Sequence, residues 1–192
     1  YDVVDYRACA TSAMRDAKNG KALIKKIEKK TGIRIDLIEG KEEAGILYGN
    51  HIEKLPNKEG TFMYVDVGGG STEITLIHQG RLVGSMSYNI GTIRLLNRAV
   101  KDGIVDGLKA DMAGMYANYG PINIIGSGGN INKLFRLAEE KSKKELKLPI
   151  TSLRSLHNDL QPLSVEERMD RFGLKPDRAD VIVPAAEIFL II

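Results

Sequence analysis

The chain has 192 residues, 43% of them hydrophobic and 28% charged, which is enough to bury a core within one domain or two small ones. A formal net charge of +3 tolerates an anionic ligand but gives no reason to expect nucleic acid as a partner. The single cysteine, Cys9, excludes an internal disulfide and a cysteine-rich zinc site, which suits a reducing cytoplasm; between Ala8 and Ala10 it reads as a buried structural thiol. The apolar run 181–192 contains Pro184 and Glu187 and is too short to cross a bilayer, so no membrane is expected. Tyr1 is not an initiator Met, and the chain stops in Ile188-Phe189-Leu190-Ile191-Ile192 without a cap or a polar tail, the pattern of a piece of a longer protein.

In chain order, residues 3–10 read as a strand, and Thr11 or Ser12 is placed to cap a helix. Leu23, Ile24 and Ile27 mark one face of a second helix that Thr31-Gly32 stops near Lys30. Residues 33–38 alternate as a strand, giving strand–helix–strand, an α/β unit. Glu42-Glu43-Ala44 opens a short helix carrying Ile46, Leu47 and Tyr48. Acids in a first turn are favoured by the helix dipole, so by themselves Glu42 and Glu43 read as helix-start residues. Residues 53–60 are polar, contain Pro56 and Gly60, and form the best linker.

Three short strands follow, over 61–65, 74–77 and 82–88, with the tight turn His78-Gln79-Gly80-Arg81 between the last two; together they predict an antiparallel meander. The first turn of this meander is Asp66-Val67-Gly68-Gly69-Gly70-Ser71-Thr72-Glu73. Three glycines remove the side chains that would hold an anion away from the backbone, and they permit positive φ. Successive N–H groups in such a turn make a concave nest for phosphate oxygens. Asp66 and Glu73 then suit a hard divalent cation such as Mg²⁺. The plainer alternative is a hairpin whose glycines serve geometry alone. A P-loop or dinucleotide fold would send this loop into a helix, and neither Gly-Lys-Ser/Thr nor Gly-x-Gly-x-x-Gly occurs, so both are disfavoured.

Helices are expected over 92–100 and 108–119, and a buried strand over 122–125 enters Gly126-Ser127-Gly128-Gly129-Asn130. This second glycine loop leads into a helix over 131–140, so its N–H groups point at an anion or nucleotide, unless the glycines serve close helix–strand packing. The charge run 141–147 reads as a solvated face. Thr151 is placed to cap a helix, Ser164 and Glu167 form a capping box, and Pro176-Asp177 starts a last helix. His51, His78 and His157 share no metal-ligand or triad spacing.

Together these residues resemble the exopolyphosphatase and guanosine pentaphosphate phosphatase family within the actin-like ATPase superfamily. The resemblance is carried by Ala10-Thr11-Ser12-Ala13-Met14-Arg15-Asp16-Ala17, Gly40-Lys41-Glu42-Glu43-Ala44, residues 66–73, Gly126-Ser127-Gly128-Gly129 and Pro176-Asp177-Arg178-Ala179-Asp180. It implies a partial actin-like (ribonuclease H-like) α/β fold: the end of a first domain over 1–52, a linker over 53–60 and a truncated second domain over 61–192. It also implies that Glu43 is the general base, a reversal that comes from the resemblance alone. Gly68, Gly69, Gly70, Ser71 and Thr72 would cradle phosphate, Arg15 would face the interdomain cleft and bind phosphate with them, and Asp66 and Glu73 would organise Mg²⁺.

The substrates implied are inorganic polyphosphate or guanosine pentaphosphate, with guanosine tetraphosphate as a further ligand, in a cytoplasmic protein for which a homodimer is allowed. An ATP-dependent kinase of the superfamily and a non-catalytic alarmone-binding regulator are the alternatives. The family's opening Asp-x-Gly-Ser-Asn-Ser hairpin does not occur in these 192 residues, so these residues alone are expected to be inactive.

Overall fold

The computed structural model describes residues 2–40, 42–43, 45–46 and 59–192. In the first part, β1 (Ala8–Ala10) pairs in parallel with β2 (Ile35–Leu37), and Ala8 stands opposite Ile35. Between them run α1 (Ser12–Asp16) and α2 (Gly20–Thr31), the latter closed by Gly32 in the left-handed conformation. This is the expected strand–helix–strand unit, with shorter strands. Residues 2–7 stay outside any strand, and Val3, Val4 and Tyr6 are exposed. Cys9 is exposed too, which corrects the expectation of a buried thiol: in a two-stranded sheet its side chain has no layer above it. The proposed continuation through Leu47 and Tyr48, and most of the 53–60 linker, lie outside the described residues, as do Lys41 and Ala44.

The second part is built on a four-stranded sheet in the order β5-β4-β3-β6. Strands β3 (Thr61–Val67), β4 (Thr72–His78) and β5 (Arg81–Tyr88) form the expected antiparallel meander. Strand β6 (Ile122–Ser127) adds to β3 in parallel, after a crossover through α3 (Thr92–Leu96) and α4 (Ile104–Tyr119). Period-2 alternation sends Met63, Val65, Val67, Ile74 and Leu76 to one face of the sheet. There they meet Leu134 of α5 (Gly128–Leu137), Leu153, Leu156 and Leu160 of α6 (Ile150–Leu160), and Ile182 and Ile188 of α9 (Ile182–Ile191). Each such aliphatic side chain contributes about 1.5–3 kcal/mol when fully buried. The opposite face carries a smaller apolar group, Phe62, Tyr64 and Ile77, and above it a row of polar residues. Helices α7 (Val165–Phe172) and α8 (Pro176–Ala179) complete the scaffold.

Several helix boundaries differ from those read in the sequence. Helix α3 ends at Leu96, short of residue 100, and Arg98 takes a positive φ. Helix α4 starts four residues early, after a left-handed Gly103. Helix α5 begins at Gly128, so the second glycine loop supplies its first turn, and it ends at Leu137. Thr151 caps nothing, because Pro149 occupies the cap position and α6 starts at Ile150; Thr11 holds the cap position of α1 without a side-chain hydrogen bond. The Ser164–Glu167 capping box is present with both its hydrogen bonds. No helix among the described residues is long and apolar enough to cross a membrane.

Candidate active site

Four polar side chains stand in one row across the sheet. Asp66 on β3 is opposite Glu73 on β4; Glu73 is opposite Ser87 on β5, and Asp66 is opposite Ser127 on β6. Residues in register share a face, so all four project together at the end of the sheet where the glycine turn lies. The serines at the two ends of the row each donate to the nearer carboxylate: Ser127 Oγ to Asp66 Oδ2 at 2.9 Å, and Ser87 Oγ to Glu73 Oε1 at 3.0 Å. Glu73 is buried, and burial is the main cause that raises its carboxyl above the ordinary range. Hydrogen bonds from Ser71 and Ser87 work against that rise, and the charges of Glu43 and Asp66 add to it.

The glycine turn joins β3 to β4, and its polarity is one-sided. Gly68 C=O accepts from Thr92 N–H, Gly69 C=O from Ile93 N–H and Arg94 N–H, and Gly70 C=O from Arg94 Nε. The first N–H groups of α3 are thus satisfied by the turn's carbonyls, and Gly91 lies directly against the Gly69–Gly70 backbone. Gly68 N–H closes the hairpin on Ser71 C=O at 2.9 Å, whereas among the described residues the N–H groups of Gly69, Gly70 and Ser71 have no backbone acceptor. Thr72 is turned inward and its hydroxyl donates to Ile90 C=O, which makes it a strut of this assembly. None of the three glycines adopts the left-handed conformation, so positive φ is not what they are needed for. They are needed for approach: a Cβ on Gly70 would sit 2.5 Å from Ser12 Oγ, and one on Gly69 would sit 3.1 Å from Ile93 Cδ1.

Glu42 and Glu43 part company in space. Arg7 Nη2 donates to Glu42 Oε1 at 2.8 Å on the outer side, with Arg7 Nε on Asp36. Glu43 turns inward beside Arg15, whose Nη1 stands 3.7 Å from Glu43 Oε2 and donates to Ile38 C=O at 2.6 Å. Glu43 Oε2 is buried and, among the described residues, accepts no hydrogen bond. Burial raises the Glu43 carboxyl above the usual carboxylate range. The Arg15 charge and the Thr11 side chain offset part of the rise, and the Asp66 charge adds to it. The Asp66 charge acts on Glu43 and the Glu43 charge acts on Glu73.

The second glycine loop serves chiefly as a brace. A Cβ on Gly126 would be 2.7 Å from Ile131, and one on Gly128, which has φ +90°, would be 2.7 Å from Asp66 Oδ1. Asn130, buried at the start of α5, donates to Val67 C=O at 2.8 Å and accepts from Arg178 of α8, whose guanidinium also lies over Gly129. The loop therefore holds Asp66 and the end of β3 in place. Ser12, Ser87, Arg94, Asn130 and Arg178 are parts of the site that the sequence reading did not assign to it. No local signal could have found Ser87, because an irregularity in the β4–β5 pairing between Leu76 and Ile77 is what sets it opposite Glu73.

The donor set suits one hard cation of modest protein ligation. Asp66 accepts from one serine, which leaves Oδ1, whereas Glu73 accepts from both Ser71 and Ser87. No group of three His, Cys, Asp or Glu side chains among the described residues forms a cage. Mg²⁺ commonly takes one or two carboxylates and completes its shell with other oxygens and water, which fits Asp66 Oδ1 and the Glu73 carboxylate beside the glycine turn.

The family model described as the Ppx/GppA phosphatase family matches residues 1–192. A bifunctional 3-dehydroquinate synthase/phosphatase of Fusobacterium nucleatum is 26% identical over 193 residues, covering 91% of this chain and 29% of that protein. A guanosine-5'-triphosphate,3'-diphosphate pyrophosphatase of Photobacterium profundum is 26% identical over 199 residues, covering 96% of this chain and 39% of that protein. The chain thus spans less than two-fifths of the length of either relative. The crystal structure of an exopolyphosphatase from Cytophaga hutchinsonii superposes with a TM-score of 0.80 at 22% identity, over 98% of this chain and 67% of that one. At that identity the likeness shows the fold, which is the actin-like α/β fold expected from the sequence.

Proposed function

The chain belongs to the Ppx/GppA phosphatase family, and we propose that the full-length protein releases terminal phosphate from inorganic polyphosphate or guanosine pentaphosphate by attack of water aligned by Glu43. The observation that carries this reading is the polarised glycine turn with Glu43 beside it. Among the described residues the N–H groups at 69–71 have no backbone acceptor while every glycine carbonyl of the turn is taken, and Glu43 brings a buried carboxylate oxygen with no hydrogen-bond partner. Phosphoryl transfer needs positioning and charge stabilisation more than covalent chemistry, and this arrangement supplies both. The division into lobes at 1–52 and 61–192 belongs to the same proposal.

In this mechanism the N–H groups of Gly69, Gly70 and Ser71 hold the oxygens of the terminal phosphoryl group. Asp66 and Glu73 would hold Mg²⁺, which when bound neutralises phosphate charge and polarises the phosphorus. Glu43 Oε2 takes a proton from water and sets its direction, while Arg15, anchored on Ile38 C=O, fixes the carboxylate. The raised pKa of Glu43, caused chiefly by its burial, makes it a stronger base near neutral pH.

The test is phosphate release by the full-length protein from each substrate with Mg²⁺. Glu43→Gln should lower the rate roughly 10²–10⁴-fold with phosphate binding nearly unchanged. In the unaltered protein, kcat/KM should fall as the pH drops through the raised Glu43 value, because the protonated carboxyl cannot accept a proton; that acid limb should therefore lie above the ordinary carboxylate range and vanish in Glu43→Gln. Wild-type turnover in Glu43→Gln would sink the assignment. Phosphorylation of a sugar or acid by ATP, with no release from polyphosphate, would favour a kinase. Binding of guanosine tetraphosphate without any release would favour a regulator.

A further inference from the structure

Helix α1 is seated on the glycine turn at two places. Ser12 is buried with its hydroxyl against Gly70, where no Cβ would fit. One turn further on, Asp16 accepts from Arg94 Nη2, while Arg94 Nε donates to Gly70 C=O at 2.9 Å and Arg94 N–H donates to Gly69 C=O at 3.1 Å. Arg94 is the third residue of α3, so its backbone and its side chain both grip the turn.

Arg15, the residue beside Asp16, stands against Glu43. Two consecutive residues of α1 thus reach in two directions, one to the cradle through Arg94 and one to the candidate base.

We propose that Arg94 is a positioning residue that clasps α1 to the phosphate cradle through Asp16, and so fixes the spacing between the cradle and Glu43; the proposal rests on the phosphatase reading above. The planar guanidinium suits this role because its fork serves a backbone carbonyl and a carboxylate at once, which an ammonium cannot do with the same geometry. Asp16 is half exposed, and a pair with that much water around one partner adds little to stability. Its consequence is therefore geometric. Neither residue touches the reacting atoms, and neither was assigned a role by the motifs.

The experiment uses the full-length protein and four variants: Arg94→Ala, Asp16→Ala, the double replacement and Arg94→Lys. Each alanine variant should lower kcat for phosphate release about tenfold with KM little changed, since small misplacements of a base act on the chemical step. The double variant should be no slower than Arg94→Ala, because the two side chains act as one device. Arg94→Lys should fall between wild type and Arg94→Ala. Amide exchange over residues 12–16 should quicken in every variant while the thermal midpoint stays in place, which separates a loosened α1 from a protein that folds poorly.

Multiplying losses in the double variant, unchanged exchange over 12–16, or an unchanged kcat would each overturn the clasp. If the wild-type protein released no phosphate from either substrate, the phosphatase reading would fall. Non-additive quickening of exchange over 12–16 would then still support the clasp on α1.

Discussion

The two glycine loops of this chain look alike in sequence and do opposite jobs. Gly68-Gly69-Gly70 links two antiparallel strands, gives all its carbonyls to α3 and Arg94, and among the described residues leaves the N–H groups at 69–71 without a backbone acceptor. Gly126-Ser127-Gly128-Gly129 ends a strand and starts a helix, and its glycines are packed against Ile131, Asp66 and Arg178. The first loop is shaped from behind, which in the proposed function prepares its N–H groups for phosphate. The second presses on Asp66 from the side and, through Ser127, orients it. A glycine-rich loop is thus no guide to its role until the partners of its carbonyls are known. Replacements that fill the space behind each loop separate the two roles.

The largest effect should come from Gly91→Ala, which touches no ligand. Its new methyl would lie 2.5 Å from the carbonyl carbon and oxygen of Gly69 and 2.6 Å from Gly70 N. These are backbone atoms, so the turn itself must move. Phosphate release should fall on the order of 10²-fold or more, and stability should fall by about 1–3 kcal/mol from overpacking. Kinetics beside a denaturant melt would check both. Near-wild-type kinetics would mean that the cradle does not depend on its seat.

Next comes Gly128→Ala in the second loop. A side chain at φ +90° is strained by about 1–2 kcal/mol, and the methyl would stand 2.7 Å from Asp66 Oδ1. The carboxylate must turn away, so the Mg²⁺ concentration for half-maximal rate should rise roughly 10–100-fold, the usual cost of disturbing a ligand's support. KM for substrate should move far less than in Gly91→Ala. Equal damage to substrate binding would instead place the second loop at the phosphate. Ser127→Ala is milder: it removes one hydroxyl from Asp66 Oδ2 and adds no strain, so the same Mg²⁺ titration should shift about tenfold at most.

What the sequence made legible follows the same division. The meander, the Asp66–Glu73 pair and the strand–helix–strand start were readable because period-2 alternation and two-residue turns act locally. Ser87 was not. From His78 opposite Arg81, a regular hairpin would place Met86 opposite Glu73; the bulge between Leu76 and Ile77 shifts the pairing by one and brings Ser87 there instead. A one-residue slip changes which side chain faces the site, and nothing in the local pattern announces it. Glu43 was legible only by resemblance, since what separates it from Glu42 is that Arg7 draws one outward and Arg15 holds the other inward. Those partners lie 35 and 28 residues away in the chain, beyond any local signal. Arg94 was hidden for the same reason, with Asp16 at a separation of 78.

The smallest effect marks where glycine stops mattering. Gly107 and Gly114 lie in α4, are exposed, and have nothing within 4 Å of a built Cβ. A helix interior disfavours glycine for its backbone freedom in the unfolded chain, by about 0.5–1 kcal/mol relative to alanine. Gly107→Ala and Gly114→Ala should therefore each raise stability by about that amount and leave phosphate release unchanged, as denaturant melts and the same assay would read. The sites lie far apart along one helix, so their gains should add. A stabilised double variant with slowed release would tie α4 to the cradle through motion, and the division between braced and idle glycines would have to be redrawn around that helix.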